Sequence, residues 1–267
     1  MAEGFIHSKA TISSAYDNPA ILGFLKDIYT ALSESPRNNR TFYVETNGRS
    51  KTPMYGILSP KFALYYRKIY SIDERVDTPL YVNKERYSEY TVGFSSSQKS
   101  VSMGINLKYL TGMYAYIDAD SVSSYALDFA KGFTQDVGLC VYGKNFTLGA
   151  SYNNLYGILW WEAKQKTKLP TKFFFTLGVY PFKELLSINA EYEENQAFPN
   201  SFFKGGIVIN IPYKVKKWAF SVSGGYISDR HQSLLTYGFT IKKSYFSLAV
   251  GFDNKGNTAV TIYTKGK

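Results

Sequence analysis

Residues 218–227 read Trp-Ala-Phe-Ser-Val-Ser-Gly-Gly-Tyr-Ile, and the alternation within them is the strongest indication of the fold. Trp218, Phe220, Val222 and Tyr226 share one side of it, and the positions between them carry Ala, Ser or Gly. Because successive side chains of a β-strand point to opposite faces, this period of two predicts a strand with one bulky face and one face of small residues.

The same alternation recurs along most of the chain. Segments of this kind begin at Val101, Val137, Phe146, Leu186, Leu235 and Phe246. Their second face consists mainly of Gly, Ser, Asn and Ala, and small polar residues suit a crowded or water-filled lumen. We therefore expect the bulky face to contact lipid. Several segments also reach the roughly 9–11 residues that a tilted strand needs to cross a membrane.

The joins between segments predict a closed barrel. Short joins such as 143–145 alternate with longer ones such as 73–84 and 162–169, which is typical of outer-membrane barrels. About thirteen segments follow residue 40, and one more is possible from Phe5 to Ser13. Bacterial single-chain barrels have an even number of strands, so we expect about 14, with about 12 as the alternative. The predicted fold class is all-β, a transmembrane antiparallel β-barrel.

Composition fits one large membrane domain. The 267 residues include 24 Tyr and 19 Phe, which favour strands and the two lipid–water boundaries. A single cysteine, Cys140, excludes an intrachain disulfide, and no apolar run is long enough for a transmembrane helix. The net charge of +10 comes largely from lysines at segment ends, not from a basic helix. The lipid bilayer is thus the expected partner, and nucleic acid is not.

Histidine and cysteine give no sign of catalysis. His7 and His231, the two histidines, lie far apart and fit no metal-ligand spacing. Asp229 shares a turn with His231, but no nucleophile motif accompanies the pair, and a turn accounts for both residues. We therefore expect no enzyme activity, no metal and no cofactor.

Residues 1–39 are predicted to form a separate segment ahead of a barrel of residues 40–267. Asn18 suits the N-cap of a helix and Pro19 its first position, and apolar residues follow at helical spacing. They predict a helix of about three turns that plugs the lumen or covers one mouth. Either a structural plug or an apolar ligand track is possible. The candidate plug or substrate-contact residues are Asn18, Pro19, Leu22, Leu25, Ile28 and Tyr29.

The face of small residues also carries charges, which we expect to point into the lumen. The cations among them would favour anions in a passive pore, and the acids would oppose this. A general porin is therefore the closest alternative to a plugged barrel. The predicted lumen charges are Arg67, Lys108, Asp136, Lys172, Glu191 and Lys204.

Four motifs resemble those of FadL-type barrels, the family of long-chain fatty-acid channels and PorV-like relatives. Ala15-Tyr16-Asp17-Asn18-Pro19-Ala20 resembles the Asn-Pro-Ala motif near their mature N-terminus. The segments 101–109, 136–139 and 146–155 resemble three of their strands, in the same order. One departure is Ile21, where the family usually has Gly.

This resemblance implies a 14-stranded barrel with an N-terminal plug in a bacterial outer membrane. It also implies uptake of hydrophobic compounds, with such molecules, lipid or detergent in the lumen. A role in a secretion or envelope complex, with other envelope proteins or further copies of the chain as partners, is the alternative. The start, Met1–Phe5, has no signal-peptide pattern, so we expect a mature form with an added methionine.

Overall fold

The alternation of bulky and small side chains produces long antiparallel strands in a computed structural model of the chain. The structure describes residues 16–25, 29–34, 36–38, 49–51, 54–70, 74–77, 80–118, 125–163, 166–182, 185–195, 198–215, 218–228, 233–243, 246–254 and 258–265. None of the helices within these ranges is long and apolar enough to span a membrane.

Fourteen of the described strands form the wall of a barrel. Each pairs antiparallel with its neighbours in the sequence, and β1 also pairs with β14, so the pairing returns to its start. The strands are β1 Tyr29–Glu34, β2 Met54–Ser59, β3 Phe62–Tyr70, β4 Leu80–Gln98, β5 Val101–Asp118, β6 Tyr125–Tyr142, β7 Phe146–Trp161, β8 Lys172–Val179, β9 Leu186–Asn195, β10 Phe198–Val215, β11 Trp218–Ser228, β12 Ser233–Lys243, β13 Phe246–Asp253 and β14 Thr258–Lys265.

Four shorter strands lie outside the wall. Glu74–Asp77 pairs with β4, and Thr167–Lys168 pairs with β7. Pro36–Asn38 and Arg49–Lys51 pair only with each other, in a separate two-stranded sheet. The expected number of wall strands is confirmed within the described residues, and the possible strand from Phe5 to Ser13 lies outside them.

The bulky face of the strands points outward. On β5, Met103 and Leu107 are exposed, whereas Asn106 and Lys108 are buried. Asn106 and Lys108 also donate hydrogen bonds to Tyr16, which lies inside the barrel. The buried face of small and polar residues is therefore the inward one, as the alternation predicts.

The two ends of the barrel differ. Tight turns join β2 to β3, β4 to β5 and β6 to β7, and Lys61 and Lys99 adopt positive φ angles of 70° and 51° in two of them. We call this the short-turn end. Longer joins, such as those following Tyr70 and Asp118, leave the opposite end, which we call the long-loop end.

The N-terminal helix is shorter than predicted. A 3-10 helix spans Pro19–Phe24, with Asn18 as its N-cap, and the backbone is already extended at Leu25. The predicted three-turn helix is wrong, because the helix ends at Phe24 and Tyr29 begins β1. Ile28 lies outside the described residues. A barrel in lipid cannot leave strand edges unpaired. Residues 29–34 satisfy the edges of β2 and β14, so the barrel wall begins before residue 40.

Candidate functional site

Residues Tyr16–Leu25, which we call the plug, lie inside the barrel near its short-turn end. The carbonyl oxygen of Leu22 accepts a hydrogen bond of 3.2 Å from the backbone N–H of Lys61, in the turn between β2 and β3. Tyr16 and Leu22 belong to an apolar core whose wall residues are Met54, Leu58, Ala63 and Tyr65, with Leu25 packed against it. The plug is thus anchored by both apolar packing and backbone hydrogen bonding.

Asn18 fastens the plug to the wall. Its Oδ1 accepts from the backbone N–H of Ala20 at 3.1 Å, which caps the short helix. Its Nδ2 donates to the carbonyl oxygens of Leu139 and Ala150, at 3.1 and 3.3 Å. Leu139 and Ala150 are register partners on β6 and β7, so one buried amide binds two adjacent strands.

Two wall glycines allow the plug to approach this closely. A Cβ atom on Gly104 of β5 would overlap the backbone of Pro19 and Ala20. A Cβ atom on Gly138 of β6 would overlap Oδ1 of Asn18. Glycine is the residue that permits such close backbone approach, so the wall is shaped to receive the plug.

Tyr16 forms the centre of a buried polar group that we call the Tyr16 cluster. Its hydroxyl accepts from Nζ of Lys108 at 3.0 Å and from Nη1 of Arg67 at 3.4 Å. Lys108 also forms an ion pair of 2.7 Å with Asp136 and lies 4.0 Å from Glu89. Two cations and two acids, all of them buried, thus compensate each other's charge, which is the condition for burying charges.

Tyr16 lies in the plug, before the first strand. Burial raises the pKa of its phenol to about 12. Tyr16 is therefore neutral at physiological pH, so its oxygen accepts from two cations without adding a third negative charge to the cluster. The neighbouring amide of Asn106 donates to the Tyr16 carbonyl at 2.9 Å. Backbone and side chain of this one plug residue are both held by the wall.

A bulge in β7 adjoins the Tyr16 cluster. The register between β6 and β7 shifts on either side of Leu155, and Asn154 and Tyr156 have φ angles of 61° and 52°. Oδ1 of Asp136 accepts the backbone N–H of Asn154 at 2.9 Å. The same carboxylate therefore holds both Lys108 of the cluster and the bulged backbone.

An interior apolar cluster lies next to the bulge, on its long-loop side. Nδ2 of Asn154 donates to the Pro170 carbonyl at 3.1 Å, and the N–H of Leu169 donates to the Gly157 carbonyl at 2.9 Å. These bonds draw Leu169 into the barrel. The cluster consists of Tyr87, Leu110, Ala130, Leu159 and Leu169, with Trp161 packed against it.

The remaining predicted lumen charges form a second group on β8, β9 and β10. Lys204 contacts Glu191 at 2.6 Å and Glu193 at 3.4 Å, and Lys172 contacts Glu193 at 3.0 Å. The six predicted charges therefore divide into two networks, with Arg67, Lys108 and Asp136 in the first. All six lie on the inward face of the wall.

Some residues of the site were not identified from the sequence as lumen charges or as residues that hold the plug. Glu89 and Asn106 lie on the inward phase of their strands, and that phase is the signal that identifies them. Tyr16 has no such signal, because its partners lie 51 and 92 positions away along the chain. Asp229 and His231 lie outside the described residues. Within those residues, no group of His, Cys, Asp or Glu is arranged to hold a metal ion.

The fold and the plug together define a class of architecture, a 14-stranded β-barrel with an N-terminal plug. No protein-family model and no curated protein matches the sequence. Among solved structures, the P. putida toluene transporter TodX is similar over 93% of this chain and 92% of its own, with 10% identity and a TM-score of 0.62.

Two further structures are similar to almost the whole chain. The CymD monoaromatic hydrocarbon channel matches with 13% identity and a TM-score of 0.58, over 97% of this chain and 94% of its own. A Pseudomonas aeruginosa FadL homologue matches with 11% identity and a TM-score of 0.55, over 96% and 92%. At such identities the likeness shows the fold, and the predicted FadL-type barrel fold is confirmed.

Proposed function

We propose that this protein is a channel of a bacterial outer membrane that admits small hydrophobic molecules, with the plug as its gate. The observation that carries the proposal is the plug itself. It occupies the interior of a FadL-type barrel and is bound there by hydrogen bonds that Asn18, Asn106 and Lys108 make. TodX and CymD, which share the fold, are named as a toluene transporter and a monoaromatic hydrocarbon channel.

The outer surface supports a location in the outer membrane. Exposed aliphatic and aromatic side chains cover successive outward positions, for example Met103 and Leu107 on β5 and Tyr237 and Phe239 on β12. An apolar band with aromatic borders around a closed barrel is what a bilayer requires of a strand-built membrane protein. Exposed over so large an area, the same side chains would aggregate in water.

The paired interior charges argue against a general porin. A water-filled pore would leave its lumen charges hydrated, yet Lys108 and Asp136 are buried and bonded to each other beside the plug. The apolar cluster around Leu169 gives the interior a surface that a hydrophobic solute can contact. Hydrophobic cargo fits this interior better than ions or sugars do.

Conductance across a planar lipid bilayer tests the gate. We expect the full chain to conduct ions weakly, and a variant lacking residues 1–25 to form a steady ohmic pore. Lys144→Gln, in an exposed turn, is the matched point variant and is expected to conduct as the full chain does. A full chain that is already an ohmic pore, with no gain on deletion, would contradict the proposal.

Uptake tests the cargo. The protein is expressed in cells that lack their own outer-membrane hydrocarbon channels. The initial uptake rates of radiolabelled toluene and of a sugar are then compared with those of the same cells without the protein. We expect a faster rate for toluene alone. Equal acceleration of the sugar would indicate a general porin, and acceleration of neither would favour a structural or partner-binding barrel.

A further inference from the structure

A continuous row of aromatic rings crosses five strands on the outside of the barrel. Each member is the direct register partner of the next, and neighbouring ring centroids lie 5.0 to 6.4 Å apart. Aromatic side chains on barrel exteriors concentrate at the lipid–water boundary. This aromatic row consists of Tyr55, Tyr66, Tyr90, Tyr109 and Phe133.

A second row lies two residues nearer the long-loop end on the same strands. Lys68, Ser88, Thr111 and Lys131 are again direct register partners from β3 to β6. Because outward positions alternate, these side chains face the same side as the aromatic row. Arg86 lies one outward step further along β4, and both Arg86 and Lys131 are exposed. We call these five residues the cationic wall patch.

The change from one row to the next is abrupt. Below the aromatic row, towards the short turns, most outward residues are apolar, for example Leu64, Leu107 and Val137, and Gln135 on β6 is an exception. Above it, cations and hydroxyls follow within two residues, and on β6 the exposed side chains of Phe129 and Leu127 follow Lys131. This order is the one that a bilayer presents, with acyl chains first and phosphate-bearing head groups next.

The opposite flank has no such patch. At the corresponding ends of β9 to β13, the outward positions are occupied by one acid, three serines and an asparagine. No Lys or Arg is among these described positions. They are Glu194, Ser201, Ser228, Ser233 and Asn254. The cations are therefore gathered on one side of the barrel and do not form an even belt.

We propose that the cationic wall patch binds the phosphate groups of lipid A, the phosphorylated glycolipid of the outer leaflet. Long loops of such barrels are extracellular, so the long-loop end reaches the outer leaflet. Lys and Arg form charge-assisted hydrogen bonds to phosphate, Ser88 and Thr111 add hydroxyl donors, and the aromatic row contacts the acyl chains. The inference rests on the proposed outer-membrane location, and it is independent of what the channel carries.

Binding of purified lipid A to the full-length protein in detergent tests this site. The variant K68Q/R86Q/K131Q removes three positive charges from the patch. The matched variant K144Q/K242Q/K243Q removes three from the short-turn end. Each cation near an anionic lipid surface contributes about five-fold in affinity, so we expect the patch variant to bind about a hundred-fold more weakly at low salt.

The matched variant is expected to bind within about two-fold of the wild type. Lipid A without its phosphates should bind weakly to all three proteins. Wild-type affinity in the patch variant, an equal loss in both variants, or equally tight binding of phosphatidylglycerol would overturn the proposal. Heat-modifiable gel migration confirms that each variant is folded, and insertion into vesicles, measured separately, tests the membrane location.

Discussion

The single residue Lys108 connects the barrel wall to the plug. Its ammonium group bonds to Asp136 on the next strand and to the hydroxyl of Tyr16 in the plug. The first contact is within the wall, and the second crosses from wall to plug. Loss of the plug would therefore remove one hydrogen-bond partner of Lys108 and leave its ion pair with Asp136 in place.

Replacing Lys108 by Met is expected to destabilise the barrel. The carboxylates of Asp136 and Glu89 would remain buried without their cation, and breaking a buried pair in this way costs about 3–5 kcal/mol. Urea unfolding followed by gel mobility measures the loss. Lys172→Met is the matched variant, because Glu193 would keep Lys204 as a partner at 3.4 Å. Equal losses for the two variants would show that burial of the Tyr16 cluster has no energetic weight.

At the scale of elements, the fit between the plug and β5 depends on Gly104. A methyl group there would overlap the backbone of Pro19 and Ala20, which cannot move aside as a flexible side chain can. We expect Gly104→Ala to displace the plug and to raise ion conductance across a planar bilayer towards that of the deletion variant. The fold should be retained, because alanine suits a strand backbone at least as well as glycine does.

The control for this change is Gly224→Ala on β11. Gly224 is exposed, and a Cβ atom there would meet nothing within 4 Å. Its conductance should equal that of the wild type. If Gly104→Ala conducts as little as Gly224→Ala does, the short helix is not the barrier to ion flow.

Local sequence patterns predict the strands of this barrel correctly and its N-terminal helix incorrectly. Period-two alternation identifies the strands and their inward faces, because that pattern is local and the pleat imposes it directly. The helix predicted through Leu32 fails because helical spacing is a local signal, whereas β1 forms to pair two distant strands. Barrel closure outweighs the local preference.

Long-range contacts set the other limit of prediction. The bond between Asn106 and Tyr16 joins residues 90 positions apart, and alternation cannot indicate which inward side chains will meet. The bulge at Asn154 could not be predicted from the sequence either. Asn adopts a positive φ in many settings, and nothing in the sequence around Tyr156 indicates a positive φ there. Of the candidate plug residues, Asn18, Pro19, Leu22 and Leu25 lie in the plug and Tyr29 lies in the wall. The sequence did not indicate the bonding partners of any of them.

The whole molecule has three layers, and the alternation along the strands separates the first two of them. Outward residues provide an apolar surface, inward residues provide two charge networks and a plug seat, and the plug occupies that seat. A shift of one residue in any strand would exchange the first two layers and place charges in lipid. The whole arrangement therefore depends on the bulky face contacting hydrocarbon and the small polar face contacting the interior.

Spin labels along β5 measure which face contacts hydrocarbon, in a Cys140→Ala background reconstituted in lipid vesicles. Labels at Met103, Ile105 and Leu107 should collide readily with oxygen, which partitions into hydrocarbon, and rarely with a water-soluble nickel chelate. Labels at Ser102 and Asn106 should show low oxygen collision. An alternation of opposite phase, or equal oxygen access at all five positions, would contradict the account.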